Sequence, residues 1–381
     1  MKPLKIHKPL IPLFLLLLLI PLFAFIRINT PQQRTKPVVI GYVGGFKGLV
    51  DTEGIDAGKL THINYAFVDV KNHQAFLTNE KTDTINFRKL NLLKRINPRL
   101  QILISIGGWA WSENFSDAVL LEASRKSFAQ SAVNIIRKYK LDGVDIDWEY
   151  PGMPGEEGNI YRPEDKQNFT LMFEALRKEL DLLEKQEGKK KLLTTAVAGF
   201  AQFLDHTEMD KASRYLDYVN LMTYDLFSGD TAVHHAGLYA SPLYKSNKYA
   251  DHAVKAFMEA GVPAGKLVLG IPFYGRSFKL QAGPKKGIGE KMVSQEYLDG
   301  YTLIKDSLVN KNGFKPYRDD AAKVPYLVNA STKEVISYED EKSVREKCVY
   351  VMDKKLAGVM FWEYTSDPKG YLLNEIHKTL K

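Results

Sequence analysis

Short runs of apolar and β-branched residues alternate with longer amphipathic stretches along most of the chain, and this alternation constrains the fold more than any other feature. Strands that alternate with helices build parallel sheets, which either close into a barrel or remain open and doubly wound. The number of runs suggests a closed parallel barrel, although alternation alone also permits the open sheet. The eight runs lie at residues 38–46, 61–70, 100–109, 141–151, 192–198, 218–224, 267–274 and 356–362.

The stretch before the fourth run shows the helical period most clearly. Its apolar residues follow one another at intervals of 4, 3, 1 and 3, which places them on one face of a helix. We therefore expect this helix to pack against the sheet through Phe128, Ala132, Ile135, Ile136 and Tyr139.

The fourth run, residues 141–151, concentrates acids in a segment that otherwise has the composition of a buried strand. Side chains alternate across a strand, so Asp145, Asp147 and Glu149 share one face at a spacing of roughly 6 to 7 Å, while Asp142 does not. Acids this close in a poorly solvated site raise the pKa of at least one of them, which keeps a general acid protonated at neutral pH. A solvated strand end or a calcium loop is the alternative. A calcium loop, however, requires glycine and turn residues where this segment has Val, Ile and Trp.

These acids resemble the DxxDxDxE signature of the family 18 glycoside hydrolases, the chitinase family, at Asp142, Asp145, Asp147 and Glu149. The resemblance extends over residues 37–375 and implies a (β/α)8 TIM barrel, whose active site lies at the carboxyl ends of the strands. Four further segments are similar to strand signatures of the family, namely residues 105–109, 222–225, 274–276 and 361–363.

Residues 278–344 interrupt the strand and helix rhythm between the seventh and eighth strands. They resemble the small α+β insertion that one subgroup of chitinases carries at this point, which by that resemblance forms one wall of the substrate cleft. The predicted organisation is therefore a catalytic barrel made of residues 37–277 and 345–381, with the insertion between them.

The resemblance also implies a mechanism. An ordinary retaining glycosidase places a second carboxylate about 5 to 5.5 Å from the acid, whereas family 18 uses the acetamido oxygen of the substrate as the nucleophile. It implies Glu149 as the acid and base, Asp147 as the partner of the acetamido group, Asp145 as the residue that tunes Asp147, and Tyr224 as a ligand of the acetamido oxygen. The expected substrate-binding residues are Tyr42, Phe67, Trp109, Trp111, Met222, Asp225, Arg276 and Trp362.

The expected activity is that of a chitinase, which hydrolyses β-1,4 linkages between N-acetylglucosamine units in chitin or chitooligosaccharides. An endo-β-N-acetylglucosaminidase acting on glycans or peptidoglycan and a non-catalytic chitin-binding, lectin-like protein are the alternatives. The insertion argues against the first, and the intact Glu149 argues against the second. No cofactor is expected, and no His and Cys residues stand at metal-ligand spacing, so His234 and His235 are interpreted as loop or shell residues.

The N-terminus predicts export, because Lys2, Lys5 and Lys8 precede an uninterrupted apolar run at residues 10–26. This length falls between a signal-peptide core and a short transmembrane helix. Residues 1–30 are therefore either a cleaved signal peptide, giving a secreted or periplasmic enzyme, or an anchor at the outer face of the membrane.

The charge and the cysteine content argue against a nucleic-acid-binding protein and against a disulfide-bonded one. The net charge is +8, and four of the positive charges lie in the first thirty residues, so residues 31–381 carry +8 − 4 = +4 in a dispersed pattern. This pattern predicts no nucleic-acid partner. The one cysteine, Cys348, rules out an intramolecular disulfide and is interpreted as a small buried hydrophobe. A monomer is the default expectation.

Overall fold

The computed structural model describes residues 1, 3–5, 36–227 and 229–381. Residues 1–35 and residues 36–381 form separate units. The apolar run at residues 10–26 lies outside the described residues, so the export signal stays a prediction. Within the described part of the chain, every helix is too short or too polar to cross a bilayer.

The strands and helices follow the predicted alternation closely. In chain order the strands are β1 (Val38–Gly44), β2 (His62–Lys71), β3 (Gln74–Phe76), β4 (Gln101–Gly107), β5 (Gly143–Asp147), β6 (Leu192–Ala198), β7 (Tyr218–Met222), β8 (Leu267–Pro272), β9 (Gly275–Leu280), β10 (Met292–Leu298), β11 (Lys315–Asp319), β12 (Val324–Asn329), β13 (Glu334–Ser337) and β14 (Gly358–Trp362). The helices are α1 (Glu80–Leu92), α2 (Phe115–Ala118), α3 (Glu122–Tyr139), α4 (Asp165–Glu187), α5 (Met209–Ala212), α6 (Ala250–Glu259), α7 (Tyr301–Leu303), α8 (Glu341–Asp353) and α9 (Tyr371–Thr379).

Eight parallel strands close into a barrel. Strand β1 pairs with β14 on one side and β2 on the other, and the order around the barrel continues through β4, β5, β6, β7 and β8 back to β14. This closure confirms the (β/α)8 prediction and excludes the open sheet. Because the strands are parallel, all their carboxyl ends meet at one rim, which is where sites form in such barrels.

The main core fills the layer between the barrel and its helices. Val144, Ile146 and Trp148 point into it from the acidic segment, and Trp148 stacks on Phe115 with ring centroids 5.2 Å apart. The predicted helix face is confirmed on α3, where Phe128, Ala132 and Ile136 are buried while Ile135 and Tyr139 pack against the same core. The buried Cys348 belongs to this core as well.

The insertion forms its own antiparallel sheet, with strand order β10, β9, β13, β12 and β11. Its first strand begins at Gly275, three residues before the predicted boundary at residue 278, so Arg276 lies on the inserted sheet rather than on a barrel strand. The difference arises because the chain leaves β8 at Pro272 and enters β9 after only two residues, which leaves no break in composition.

A buried ion pair holds the end of this sheet to the barrel. The ammonium group of Lys347 on α8 binds the carboxylate of Glu339, which follows β13, and both side chains are fully buried. The same ammonium donates a hydrogen bond of 2.7 Å to the carbonyl oxygen of Ala236. Lys347 therefore joins three segments that are distant in sequence.

Replacing Lys347 by methionine is expected to lower the free energy of unfolding by about 3 to 5 kcal/mol at pH 7, because it leaves the Glu339 carboxylate buried without a counter-ion. Burial already raises the pKa of Glu339. Without Lys347 this pKa rises further, so the loss of stability shrinks as the pH falls and Glu339 is protonated. Urea denaturation at pH 7 and pH 4.5 measures both effects. Lys342→Met, an exposed position on the same helix, is the control and should change stability by less than about 0.5 kcal/mol; equal losses in both variants would contradict the prediction.

Candidate active site

A cavity of about 700 Å³ opens at the carboxyl ends of the barrel strands. Residues from seven barrel strands or the loops that follow them line it, and the inserted sheet closes one side. The lining residues are Phe46, Phe67, Trp109, Ala110, Trp111, Asp147, Glu149, Tyr150, Met222, Tyr224, Asp225, Phe227, Tyr274, Arg276, Gln295, Tyr297 and Trp362.

Asp145 lies beneath this cavity inside the barrel and is fully buried. Its carboxylate accepts hydrogen bonds from the hydroxyl groups of Tyr42 at 2.9 Å, Ser105 at 2.8 Å and Thr194 at 2.5 Å, and from the amide of Asn220 at 3.3 Å. Burial raises the pKa of Asp145 although these donors act in the opposite direction. Asp145 is thus held rigidly by its donors, and both of its oxygens are occupied.

Asp147 ends β5 at the floor of the cavity and differs from Asp145 in its environment. Its side chain is 4% exposed, and its Oδ1 atom has no hydrogen-bond partner in residues 36–227 and 229–381. Burial, and then the charges of Glu149 and Asp145, raise the pKa of Asp147 well above its usual range. A buried acceptor without a donor, facing a cavity, is prepared for an N–H or O–H group of a ligand.

The end of β5 is fixed by the neighbouring strand. The amide of Gly108 donates a hydrogen bond of 2.6 Å to the carbonyl oxygen of Asp147. Gly107 has φ = 109°, and a Cβ atom there would lie 2.2 Å from the same oxygen. The two glycines of the strand motif at residues 105–109 therefore permit the close approach of β4 that positions Asp147.

Glu149 lies two residues beyond β5 and is partly exposed to the cavity. Its backbone amide donates to Ser112 at 2.9 Å and its carbonyl oxygen accepts from Asn159 at 3.1 Å, which fixes the main chain on both sides. Burial raises the pKa of Glu149 to about 7; a hydrogen bond with Tyr150 opposes this effect, and the charge of Asp225 adds to it. Glu149 can therefore donate a proton near neutral pH.

Asp225 forms a charged cluster on the cavity wall after β7, which only β6 separates from Glu149's strand β5. Its two oxygens accept from Arg276 at 2.7 and 2.6 Å, and one of them also accepts from the hydroxyl of Tyr274 at 2.8 Å. Burial alone would raise the pKa of Asp225, but hydrogen bonds from His235 and Arg276 outweigh it and hold the pKa well below its usual range. Asp225 stays ionised, while burial and the neighbouring acids raise the pKa of Tyr224 so that its hydroxyl keeps its proton.

Aromatic rings form the remaining wall. Phe67 and Trp362 are stacked with centroids 5.4 Å apart, and Phe46 lies nearly parallel to Trp362 at 6.3 Å. Trp111 contacts both phenylalanine rings at 5.6 to 5.7 Å, and Trp109 stands at the entrance with 49% of its surface exposed. Flat apolar faces beside buried acids suit a ligand that has an apolar face and polar edges.

The cavity collects the predicted site residues except Tyr42 and Asp145. Tyr42, predicted to bind substrate, is 2% exposed and lies behind the acids as a donor to Asp145, which itself lies below the cavity floor. Asp142, the acid off the strand parity, is at the other end of β5, where Lys94 and Lys189 bind it at 2.5 Å. Among the described residues, no group of three or more His, Cys, Asp or Glu side chains is arranged to hold a metal ion.

Several cavity residues were missed from the sequence. Phe46 falls in a turn just after β1, Phe227 follows the β7 motif, and Gln295 and Tyr297 come from β10 of the inserted sheet. The Tyr274 ring stacks on Tyr297 with centroids 4.6 Å apart. Phe46 ends the first predicted run and Tyr274 begins the signature at residues 274–276, so both could have been indicated. No sequence pattern marks Gln295 and Tyr297.

Comparison with known proteins agrees with this geometry. The family model described as glycosyl hydrolases family 18 matches residues 38–367. Chitinase A1 of Niallia circulans is 37% identical over 432 aligned residues, which cover 96% of this chain and 61% of that protein, so this chain spans less than two thirds of it. A solved family 18 N-acetylglucosaminidase from Paenibacillus barengoltzii is 39% identical with a TM-score of 0.84, covering 90% of this chain and 99% of that one. Chitinase ChiA74 from Bacillus thuringiensis is 36% identical with a TM-score of 0.84, covering 91% of this chain and 70% of that one.

Proposed function

The chain belongs to the glycosyl hydrolases of family 18, and from this premise we propose that it is a chitinase that hydrolyses β-1,4 bonds between N-acetylglucosamine units. One observation carries the proposal: an acid with a pKa of about 7, Glu149, shares a cavity with the unpartnered Oδ1 atom of the buried Asp147. This pair supplies a proton to a leaving group and an acceptor for an amide N–H, which together match a glycosidic bond next to an acetamido group.

The first chemical step requires a nucleophile. The free Oδ1 atom of Asp147 is assigned to the acetamido N–H, and the remaining carboxylates besides the acid Glu149 are occupied. Asp145 is buried and its oxygens are taken by four donors, and Asp225 is held by Arg276. The acetamido oxygen of the substrate therefore attacks the anomeric carbon, as in the substrate-assisted family. The bond to the leaving oxygen breaks, that oxygen takes the proton of Glu149, and a cyclic oxazolinium ion forms. Asp147 accepts the hydrogen bond of the acetamido N–H and stabilises the positive charge.

In the second step Glu149, now a carboxylate, takes a proton from water while the water oxygen attacks the anomeric carbon. The oxazolinium ring opens and restores the acetamido group, so the product keeps the configuration of the substrate. Two displacements at one carbon give retention. Glu149 ends the cycle protonated, as it began.

Tyr224 and the aromatic wall place the reacting sugar. The protonated hydroxyl of Tyr224 donates a hydrogen bond to the acetamido oxygen, which directs this oxygen toward the anomeric carbon. Met222 and Trp362 line the pocket below the sugar ring, and Asp225 and Arg276 bind hydroxyl groups or hold the wall in shape. The exposed ring of Trp109 and the half-buried ring of Trp111 extend the apolar surface to further sugar units.

The rate is expected to fall as the pH rises through about 7, because Glu149 donates a proton in the first step and loses it above its pKa of about 7. As the pH falls, protonation of Asp147 removes the charge that stabilises the oxazolinium ion, so the profile of kcat/KM against pH is bell-shaped. Because the pKa of Asp147 is raised well above its usual range, the acid limb lies at higher pH than for an ordinary aspartate. Initial rates on a chromogenic chitobioside between pH 3 and pH 10 measure the profile. An alkaline limb above pH 9 would contradict the assignment of Glu149 as the acid.

A second candidate is an N-acetylglucosaminidase that releases single sugars. The specific observation in its favour is the similarity to the solved N-acetylglucosaminidase, whose chain is covered to 99% at 39% identity. The acids would do the same chemistry in both cases. The two candidates differ only in how many sugar units bind on the non-reducing side of the cleaved bond.

Mass spectrometry of the products from residues 31–381 and N-acetylglucosamine hexamer tests the proposal. Dimers, with or without trimers and tetramers, support a chitinase, whereas monomers as the first product support the N-acetylglucosaminidase. Binding without cleavage would replace both by a lectin-like protein. If neither occurs, glycans and peptidoglycan fragments become the substrates to examine.

Export of the enzyme is a separate proposal and rests on the sequence of residues 1–30 alone. Chitin polymers are too large to enter a cell, so a chitinase that acts on them has to lie outside it. Fractionation of cells that express the full chain distinguishes the two forms, because a cleaved enzyme appears in the medium or periplasm and an anchored one appears in the membrane fraction.

A further inference from the structure

We infer that His235 is a positioning residue that holds the Asp225 carboxylate at the wall of the cavity and so contributes to catalysis without contacting the substrate. The inference rests on the proposed function for the catalytic meaning of Asp225. The contact between His235 and Asp225 itself does not depend on which reaction the enzyme catalyses.

Asp225 stands in an unusual backbone conformation, with φ = 54°, in the segment that leaves β7. Left-handed backbone is uncommon for a residue other than glycine, so its surroundings have to stabilise it. The Arg276 guanidinium donates a hydrogen bond to each oxygen of Asp225, and the Tyr274 hydroxyl donates to Oδ2. The Nδ1 atom of His235 lies 3.3 Å from Oδ1, so His235 is the third side chain that hydrogen-bonds to this carboxylate.

His235 cannot act directly on a ligand. Its side chain is fully buried and does not line the cavity. Its ring packs against Tyr274 with centroids 5.4 Å apart, and its backbone amide donates a hydrogen bond of 3.0 Å to Ser337, which ends β13 of the inserted sheet. His235 therefore connects the inserted sheet to Asp225, and any effect on the reaction passes through that carboxylate.

The ring is neutral and has one defined tautomer. Burial lowers the pKa of His235, although the Asp225 carboxylate opposes this effect. Since Asp225 is ionised and only accepts hydrogen bonds, the proton of the neutral ring lies on Nδ1. The Nε2 atom has no hydrogen-bond partner in residues 36–227 and 229–381. The ionisable groups that face His235 are Asp225, Arg276, Tyr274 and Lys347.

The connection to catalysis is electrostatic and geometric. The charge of Asp225 contributes to the raised pKa of Glu149, and its oxygens lie on the cavity wall, where a sugar binds. If the Nδ1 donor is lost, one oxygen of Asp225 retains only Arg276, and the carboxylate gains freedom to turn. A carboxylate that leaves its position binds the sugar less well and raises the pKa of Glu149 less.

The neighbouring His234 provides a matched control. It is equally buried and also bonded to a carboxylate, with Nε2 at 3.2 Å from Asp319, yet this pair lies at the inserted sheet and does not line the cavity. His235→Phe removes the donor and keeps a ring, His235→Gln keeps an N–H donor, and His234→Phe tests for a general loss of packing. Thermal unfolding of all three variants reports whether each one is folded.

We expect His235→Phe to lower kcat on the hexamer about tenfold and to move the alkaline limb of the pH profile to lower pH, because the pKa of Glu149 falls. His235→Gln should recover activity to within about threefold of the wild type, and His234→Phe should stay within about twofold. Equal kcat values for the two phenylalanine variants, or a glutamine variant as poor as His235→Phe, would overturn the inference.

A binding measurement separates this inference from the proposed function. Hydrolysis by the wild-type enzyme tests the function alone, whereas only the ratio of variant to wild type tests His235. Tryptophan fluorescence, titrated with N-acetylglucosamine tetramer, reports binding even when no bond is cleaved, since Trp109, Trp111 and Trp362 line the cavity. Weaker binding by His235→Phe than by His234→Phe supports the inference, and equal affinities contradict it.

Discussion

Replacing Glu149 by glutamine is expected to lower kcat by about 10⁴-fold while the affinity for N-acetylglucosamine oligomers changes by less than about threefold. Glutamine keeps the size of the side chain but carries no acidic proton, so the leaving oxygen departs as an alkoxide. The same residue also activates the water of the second step, and both proton transfers are lost together. Initial rates and tryptophan fluorescence titrations on the same preparation measure the two effects.

Glu113→Gln provides the control, because Glu113 is an exposed acid in the loop after β4 that does not line the cavity. It should retain the wild-type rate. A Glu149→Gln enzyme that releases soluble oligosaccharides within about tenfold of the wild type would refute the proposed mechanism. A variant that has lost both binding and a cooperative unfolding transition would instead point to misfolding, which the unfolding curve detects.

Much of the barrel was predictable because each strand carries its own local signal. The run at residues 192–198 was predicted to the residue, and the other barrel strands differ by a few residues at their ends. The carboxyl end of β1 shows why predicted and observed strand ends differ. Apolar sequence continues through Phe46, but the pairing of β1 with β2 ends at Gly44 and the chain turns at Gly45–Lys47.

Depth inside the barrel was not predictable. Strand parity places Tyr42 and Asp145 inside, as the structure has them, but parity does not say how far a side chain lies below the rim. Tyr42 was therefore expected at the substrate and is found under the cavity floor, bonded to Asp145. Burial depth depends on the stagger of the strands, and the register of β1 against β2 is set by tertiary pairing, not by either sequence alone.

Residues of the inserted sheet were the hardest to foresee. Tyr297 and Gln295 reach the cavity only because β10 pairs with β9, which brings Tyr297 opposite Arg276. Likewise His235, interpreted from the sequence as a loop or shell residue, meets Asp225 through a fold of the loop after β7. Contacts between segments of this kind leave no periodic pattern in the sequence.

Replacing Asp147 by asparagine is expected to lower kcat by about 10² to 10³-fold, the magnitude typical for loss of one preorganised group that stabilises transition-state charge. The amide oxygen of asparagine still accepts the acetamido N–H, so substrate binding is largely kept. The negative charge that stabilises the oxazolinium ion is lost, so the effect appears in kcat and not in KM. Removal of an acid next to Glu149 also lowers the pKa of Glu149, and the alkaline limb moves to lower pH.

Asp142→Asn is the control that separates this catalytic effect from the loss of stability caused by replacing a buried acid of the same segment. Asp142 is fully buried and bound by Lys94 and Lys189 outside the cavity, and its pKa is lowered because these lysines outweigh burial. Its replacement should reduce the free energy of unfolding but leave kcat of the folded enzyme within about twofold. Asp147→Asn should lower kcat but leave the free energy of unfolding nearly unchanged. Asp147 has a raised pKa and an oxygen without a partner, so its charge contributes little to stability. If both variants lost stability and activity in parallel, the acids would form one structural unit and Asp147 would have no separate role in the chemistry.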